Sequence, residues 1–268
     1  MASTVIGKQD IVNFRTQGYF VLNDVLPAAH LELLRAECDT AIADVHADMD
    51  RLGVRVLGGN RRGLQYTPGN CRLTQPDLRD FLFGDMMVPI CEALLGPESY
   101  LIWEQYSVKS GTKTDTADAT FDSDGAPQSL GRFSWHQDSG YVPRDHTPYL
   151  SCWIALDDIT PDNGPLSVIP FPDLGITTRV AHLPDPDNGD LVGYFGSLTG
   201  TVLTPTAGSI VCFSSTLFHS SGRNSTIAPR RAFLAQYSPA RLAADGTLLW
   251  ESAEQVRTAA AAASGHGA

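Results

Sequence analysis

His136 and Asp138 stand two residues apart in the stretch Ser134-Trp135-His136-Gln137-Asp138-Ser139-Gly140-Tyr141, a spacing that suits a metal ion. In an extended segment the side chains at i and i+2 point to the same face, so the imidazole and the carboxylate would offer a nitrogen and an oxygen to one point in space. Two His and one carboxylate on one side of a metal, with open positions opposite, are the ligand set of non-haem Fe(II) oxygenases. The second His must come from elsewhere in the chain.

The sequence contains seven His. His30 and His46 fall on an amphipathic stretch, His146 in a turn, His182 ahead of a Pro/Asp-rich loop and His266 in a terminal tail; these are expected at the surface. His219 differs. The apolar run 209–213 and the residues after it lead straight into it, the polar turn 220–226 follows, and Pro229-Arg230-Arg231 opens another strand. Iron held on one face leaves the other for a bidentate 2-oxo acid and O2. The far carboxylate of 2-oxoglutarate then calls for a planar, permanently charged fork, which Arg supplies and Lys supplies less well. His-x-Asp alone is a weak signal, and two satisfied barrel-interior imidazoles would be its bland explanation. With a distal His219 and Arg230 on the next strand the signal is much stronger.

The elements that must position these groups change character along the chain. Tyr19-Phe20-Val21-Leu22 reads as a strand, and Leu31, Leu34, Ala41, Ile42 and Val45 recur at helical spacing over 28–48. Residues 53–76, rich in Gly and carrying Arg51, Arg55, Arg61 and Arg62 nearby, read as a mobile loop whose basic cluster invites an anionic substrate. Residues 77–95 form a second helix, kinked or divided at Pro89 and closed by Gly96-Pro97. From Tyr100 the period becomes two, with Leu101, Trp103, Gln105 and Ser107 on one face and Ile102, Glu104, Tyr106 and Val108 on the other. Short strands over 150–156, 166–169, 200–203, 209–213 and 232–237, separated by Gly/Pro turns, predict a barrel or jelly roll. The polar stretch 110–131, placed just before His136, reads as an active-site lid anchored by Phe121, and the tail from Arg257 as a frayed helix.

Composition bounds the partners. The 268 residues hold 43% hydrophobic and 18% charged side chains, which is globular, and fit one domain: a helical part over about 1–98, a β core over about 99–240 and a tail over 241–268. A net charge of −11 repels phosphate backbones and anionic lipid, so neither nucleic acid nor membrane is an expected partner. Five Cys without a CxxC fit reduced, buried thiols, and the N-terminus has no apolar leader, so a cytoplasmic location is expected.

Gly18-Tyr-Phe-Val21, Leu94-Leu-Gly-Pro97, Trp135-His-Gln-Asp138, Trp153, Asn163-Gly-Pro-Leu166, Val168-Ile-Pro170, His219-Ser-Ser-Gly-Arg-Asn-Ser225, Arg230-Arg-Ala232 and Gln236-Tyr237 together resemble the phytanoyl-CoA dioxygenase family of Fe(II)/2-oxoglutarate oxygenases over nearly the whole chain. The resemblance implies a mainly β fold with flanking helices, a double-stranded β-helix (jelly roll) core, and His136, Asp138 and His219 as iron ligands. It implies Arg230 as the grip on the distal carboxylate of 2-oxoglutarate, with Ser221, Trp153, Tyr106 and Arg72 as further co-substrate contacts. Arg231 then faces the opposite way. Lys109, Phe121, Arg144 and Arg223 are substrate-contact candidates. Two departures stand out: Phe171-Pro172-Asp173 replaces the usual Gly-Ser-His, and the polar insert at 110–131 is long. The carboxylate of Asp138 argues against a halogenase. The implied cofactors are Fe(II), 2-oxoglutarate and O2. The expected reaction is hydroxylation of an unactivated C–H bond of a small metabolite or natural-product intermediate, with desaturation, epoxidation or cyclisation as alternatives and a non-catalytic ligand-binding barrel as the competing class. No basic patch large enough for an acyl-CoA is found.

Overall fold

The computed structural model describes residues 5–111, 131–185 and 190–256, so the expected lid, including Phe121, and the frayed tail with His266 lie largely outside the described residues. The first helix, α1 (Lys8–Gln17), buries no residue fully, and Ile11 and Phe14 only lean on the core, so its helical period is faint in the sequence. Gly18 ends it at φ 85°, where a Cβ would meet Leu217 at 2.7 Å. β1 (Tyr19–Leu22) follows, then α2 (Ala28–Leu52), which buries Leu34, Cys38, Ala41 and Met49.

Residues 53–76 are not a loose loop. They form β2 (Val56–Leu57), β3 (Asn60–Arg61) and β4 (Gln65–Tyr66), and β4 joins the sheet by pairing with β5 (Tyr100–Lys109) through Gln65 and Lys109. Two-residue strands are too short to show alternation, and backbone pairing fixes them. The Arg62 guanidinium donates to Asp50 Oδ1 at 2.6 Å and to the His46 carbonyl at 2.8 Å. The expected second helix is two, α3 (Pro76–Leu82) and α4 (Met87–Leu95), divided at 83–86 rather than at Pro89. Pro89 sits in the first turn of α4, where a missing N–H costs little.

The remaining strands are β6 (Phe133–His136), β7 (Leu150–Ala155), β8 (Leu166–Ile169), β9 (Leu183–Pro184), β10 (Leu191–Val192), β11 (Thr201–Leu203), β12 (Ile210–Ser214), β13 (Phe218–Ser221), β14 (Arg230–Ser238) and β15 (Glu254–Gln255), with a short α5 (Phe171–Leu174) after β8. The large antiparallel sheet runs β1-β12-β7-β14-β5-β4-β3-β2, with β15 also on β5, and the small one runs β11-β8-β13-β6. Their facing surfaces enclose Trp153, Val211, Phe213 and Ala232 from the large sheet against Leu166 and Val168 from the small. The other face of the large sheet packs on α2, α3 and α4 through Leu150, Cys152, Ile154, Phe233 and Tyr237 against Leu34, Phe81, Leu82 and Ile90. All five cysteines are buried and free. No helix among the described residues is long and apolar enough to cross a membrane.

This layering corrects two expected co-substrate contacts. Tyr106 points toward the helices, its ring centroid 4.8 Å from Phe233, because on β5 it is Trp103, Gln105 and Ser107 that face between the sheets. Arg72, 2% exposed, is a tie beneath the helical side: its guanidinium meets Glu104 at 3.3 Å and Glu254 at 3.2 Å and donates to the Ser252 carbonyl at 2.7 Å. Removing one partner leaves the other charge buried alone. Arg72→Met is therefore expected to lower the unfolding free energy by about 3–5 kcal/mol in denaturant titration while leaving 2-oxoglutarate affinity intact.

Candidate metal centre

β6 and β13 are hydrogen-bonded neighbours in the small sheet, and their register sets His136 directly opposite His219. The ring centroids lie 4.1 Å apart. Each ring donates from Nδ1 to a backbone carbonyl two residues back: His136 to Ser134 at 2.6 Å and His219 to Leu217 at 3.1 Å. A carbonyl only accepts, so Nδ1 carries a proton in each ring and Nε2 is the nitrogen turned inward, the one that would bind a metal. Burial, then the neighbouring His219 ring, pushes the His136 pKa down to about 3, so the ring is neutral at pH 7.

Asp138 is reached by a change of conformation. The strand stops at His136, and residues 138–141 form a 3-10 turn. Gln137, fully buried between the ligands, locks that turn: its amide donates to Thr178 and Thr216 carbonyls at 2.9 and 2.7 Å and accepts from Val180 N–H at 2.9 Å. Its backbone N–H donates to His182 Nε2 at 2.9 Å, so His182, expected at the surface, buttresses the turn instead. Asp138 Oδ2 accepts from Ser151 Oγ at 2.5 Å and from Gln236 Nε2 at 2.9 Å. Oδ1 is left facing His219 Nε2 at 3.5 Å and His136 Nε2 at 3.9 Å. Burial alone would raise the carboxyl pKa, but His219, His136 and the Ser151 hydroxyl hold it down to about 2, so a carboxylate stands there at neutral pH.

Two imidazoles and one carboxylate, with donor atoms all within 4.8 Å of one another, fit a single divalent ion. Holding Oδ2 fixes which oxygen is offered. Outer hydrogen bonds of this kind are worth 10- to 100-fold in metal affinity, so Ser151→Ala should weaken Fe(II) binding by about tenfold or more in an anaerobic titration, and Ser151→Thr should restore most of it.

Across the cavity lies a second unusual group. Arg230, 1% exposed, donates to the carbonyls of Ser107 at 3.0 Å and Gly164 at 3.2 Å, and its Nε is buried with no partner. Opposite it in register is Lys109, whose Nζ donates to Ser221 Oγ at 2.6 Å and to the Gly222 carbonyl. No carboxylate lies within 4 Å of either cation among the described residues. Burial, then the charge of Arg230, pushes the Lys109 pKa well down, and burial pushes Arg230 down to about 10. A carboxylate placed between them would relieve both charges, which is what the distal end of a 2-oxo diacid offers. Arg231, on the other face, is instead paired at 2.9 Å with Asp157.

A cavity of about 550 Å³ joins these groups. It is lined by the three triad residues, by Trp153, Ser221, Arg230 and Arg61 at one end, and by Gln105, Tyr141, Tyr149, Trp250 and Gln236 toward the other. Of the expected substrate contacts, Lys109 belongs to the Arg230 end, while Arg144 and Arg223 are outside the lining. Arg144 lies on the surface 3.6 Å from Asp245, and Arg223 is exposed, so neither side chain turns inward. Ser151 and Gln236 were not expected at the site. The signal was present: Gln236 is six residues from Arg230 on one strand and therefore shares its face.

A jelly roll that holds two histidines and an aspartate on one side of a cavity, with a buried cation pair on the other, is the frame of an Fe(II)/2-oxoglutarate-dependent oxygenase. The phytanoyl-CoA dioxygenase (PhyH) profile matches residues 14–232, and the chain belongs to that family and is a dioxygenase using Fe(II), 2-oxoglutarate and O2. Among curated proteins it is similar to an ectoine dioxygenase of Sphingopyxis alaskensis, with 26% identity over 85% of this chain and 75% of the relative. It is also similar to an L-proline trans-4-hydroxylase of Streptomyces griseoviridis, with 29% identity over 57% of this chain and 59% of that protein. Among solved structures, the fold resembles the carbocyclase SnoK from nogalamycin biosynthesis (TM-score 0.63, 19% identity, 88% of this chain and 85% of that one). It also resembles EctD from S. alaskensis with 2-oxoglutarate and 5-hydroxyectoine (TM-score 0.63, 22% identity, 92% and 80%).

Proposed function

We propose that this dioxygenase hydroxylates an unactivated C–H bond of a small molecule, converting substrate, 2-oxoglutarate and O2 into hydroxylated product, succinate and CO2. The observation that supports it most is the opposition of the His136–Asp138–His219 face to the buried Arg230–Lys109 pair across one cavity. In this reading His136 Nε2, Asp138 Oδ1 and His219 Nε2 hold Fe(II), and the Arg230 fork receives the distal carboxylate of 2-oxoglutarate. Lys109 supplies a second charge there and orients the Ser221 hydroxyl, and Trp153, whose ring centroid is 5.6 Å from the Arg230 guanidinium carbon, walls that end against water. Bound iron supplies the activation of O2 that accompanies decarboxylation of the 2-oxo acid. The protein's part is to fix ligands and co-substrate and to exclude water.

A small-molecule substrate agrees with the names of the two curated relatives, which act on ectoine and on L-proline. The test is product analysis under 18O2 with a small-molecule panel. Hydroxylation requires one labelled oxygen in succinate and one in the product. Succinate formed alongside an unlabelled product two hydrogens lighter would replace this reading with desaturation or ring closure.

A further inference from the structure

The substrate end of the cavity carries two glutamines whose amide orientations are fixed by their neighbours. Trp103 Nε1, which can only donate, reaches Gln105 Oε1 at 3.0 Å. The amide nitrogen of Gln105 is thereby turned away and is unpartnered among the described residues, in a side chain that lines the cavity. Gln236 is set the opposite way. Asp138 Oδ2, which can only accept, takes Gln236 Nε2 at 2.9 Å, and Ser151 Oγ lies 3.2 Å from the same nitrogen. Its Oε1 accepts nothing among the described residues, and Gln236 too lines the cavity. In register, Gln236 stands opposite Trp103, and Gln105 stands opposite Leu234, so the two glutamines are diagonal neighbours on adjacent strands. Such neighbours lie roughly 7–8 Å apart at the backbone, within the span of one small molecule held between their side chains.

The polarity continues across the same sheet. β4 and β3 lie beyond β5, and Arg61 on β3 lines the cavity, its side chain making no hydrogen bond or ion pair within 4 Å among the described residues. Asp190, which also lines the cavity, feels the charge of Arg61. Arg61 stands opposite Gln65, and Gln65 opposite Lys109, so this cation belongs to the Arg230 end, while the wall beside the iron face offers an acceptor and then a donor. Of the basic cluster around residues 51–62, Arg61 alone reaches this cavity, while Arg62 is tied to Asp50.

Resting on the oxygenase reading above, we infer that the substrate is an amino acid or close analogue, its amine received by Gln236 Oε1 and its carboxylate by Gln105 Nε2. A carboxylate at Gln236 would meet an oxygen, and an amine at Gln105 would meet a donor, so the wall also sets the direction in which the molecule lies. The amine then sits next to the iron face, placing the neighbouring carbons nearest the reacting position.

The test uses anaerobic protein loaded with Fe(II) and 2-oxoglutarate, titrated with each of the twenty standard L-amino acids and followed by the fluorescence of Trp103 and Trp250 in the cavity wall. At least one is expected to bind saturably, and its N-acetyl and carboxamide derivatives should each bind about tenfold more weakly or worse, since each leaves a buried polar group unpaired. Gln105→Glu keeps an acceptor for Trp103 and should reverse the preference, taking the carboxamide over the free acid. Gln236 is probed through the ligand because it also holds Asp138. The inference falls if none of the twenty binds, if the blocked derivatives bind as well as the free acid, or if Gln105→Glu leaves the preference unchanged. The visible charge-transfer band of the same loaded sample reports separately on the iron and co-substrate site, so a failure here with the band intact strikes the substrate class alone.

Discussion

Asp138→Ala and His219→Ala are each expected to abolish 2-oxoglutarate turnover. Replacing an outer partner of a metal ligand costs 10- to 100-fold in affinity or activity, and removing the ligand itself should exceed the upper end of that range, more than about 100-fold in succinate formation. Asp138→Ala also leaves Ser151 and Gln236 without the carboxylate they share, so Glu at 138 is no conservative repair: its longer stem moves both oxygens away from the two hydroxyl and amide donors. Succinate release under saturating Fe(II) measures both variants. Retention of wild-type turnover by either would remove that residue from the metal.

Arg230→Leu is expected to act on the co-substrate. Truncating one member of a buried, hydrogen-bonded charge pair costs about 2–5 kcal/mol, which is roughly 30-fold or more in apparent affinity. The KM for 2-oxoglutarate should rise by that factor while Fe(II) binding holds. Arg230→Lys should recover only part of the loss, because an ammonium on a flexible stem cannot replace two parallel N–H donors. Lys109→Met should raise the same KM by less. The double variant should cost less than the sum, since both cations act on one carboxylate. Steady-state kinetics with 2-oxoglutarate as the varied component distinguishes these from a folding defect, which would lower kcat and KM effects together with thermal stability.

The metal face was legible in the sequence because its parts are local or strand-regular. His136 and Asp138 are two residues apart, His219 ends an apolar run, and period two sends Arg230 inward and Arg231 out to Asp157. The jelly roll followed from short strands punctuated by Gly and Pro. What failed was the choice of face on β5. Alternation divides Tyr106 from Gln105, but both faces of that strand are covered, one by helices and one by the small sheet, so apolarity does not say which side holds iron. Arg72 failed for another reason: its partners, Glu104 and Glu254, come from positions 32 and 182 residues away. The strands at 56–66 were hidden because two-residue ladders leave no period, and His182 because a buttress is recognised only through the glutamine it supports. Gln105 and Gln236 could be placed on faces, and Trp103 stands two residues from Gln105 on the same face, but the direction of the Gln236 amide depends on Asp138, which only the folded chain brings to it.

The central claim is that one cavity holds Fe(II) on His136, Asp138 and His219 and chelating 2-oxoglutarate anchored by Arg230. Anaerobic addition of one equivalent of Fe(II) and then 2-oxoglutarate tests it without any substrate. The wild-type protein should develop a weak visible charge-transfer band that saturates at one iron per chain, is absent in Asp138→Ala, and needs far more 2-oxoglutarate in Arg230→Leu. A wild-type protein that gives no band, or a band that Asp138→Ala leaves unchanged, would contradict the account.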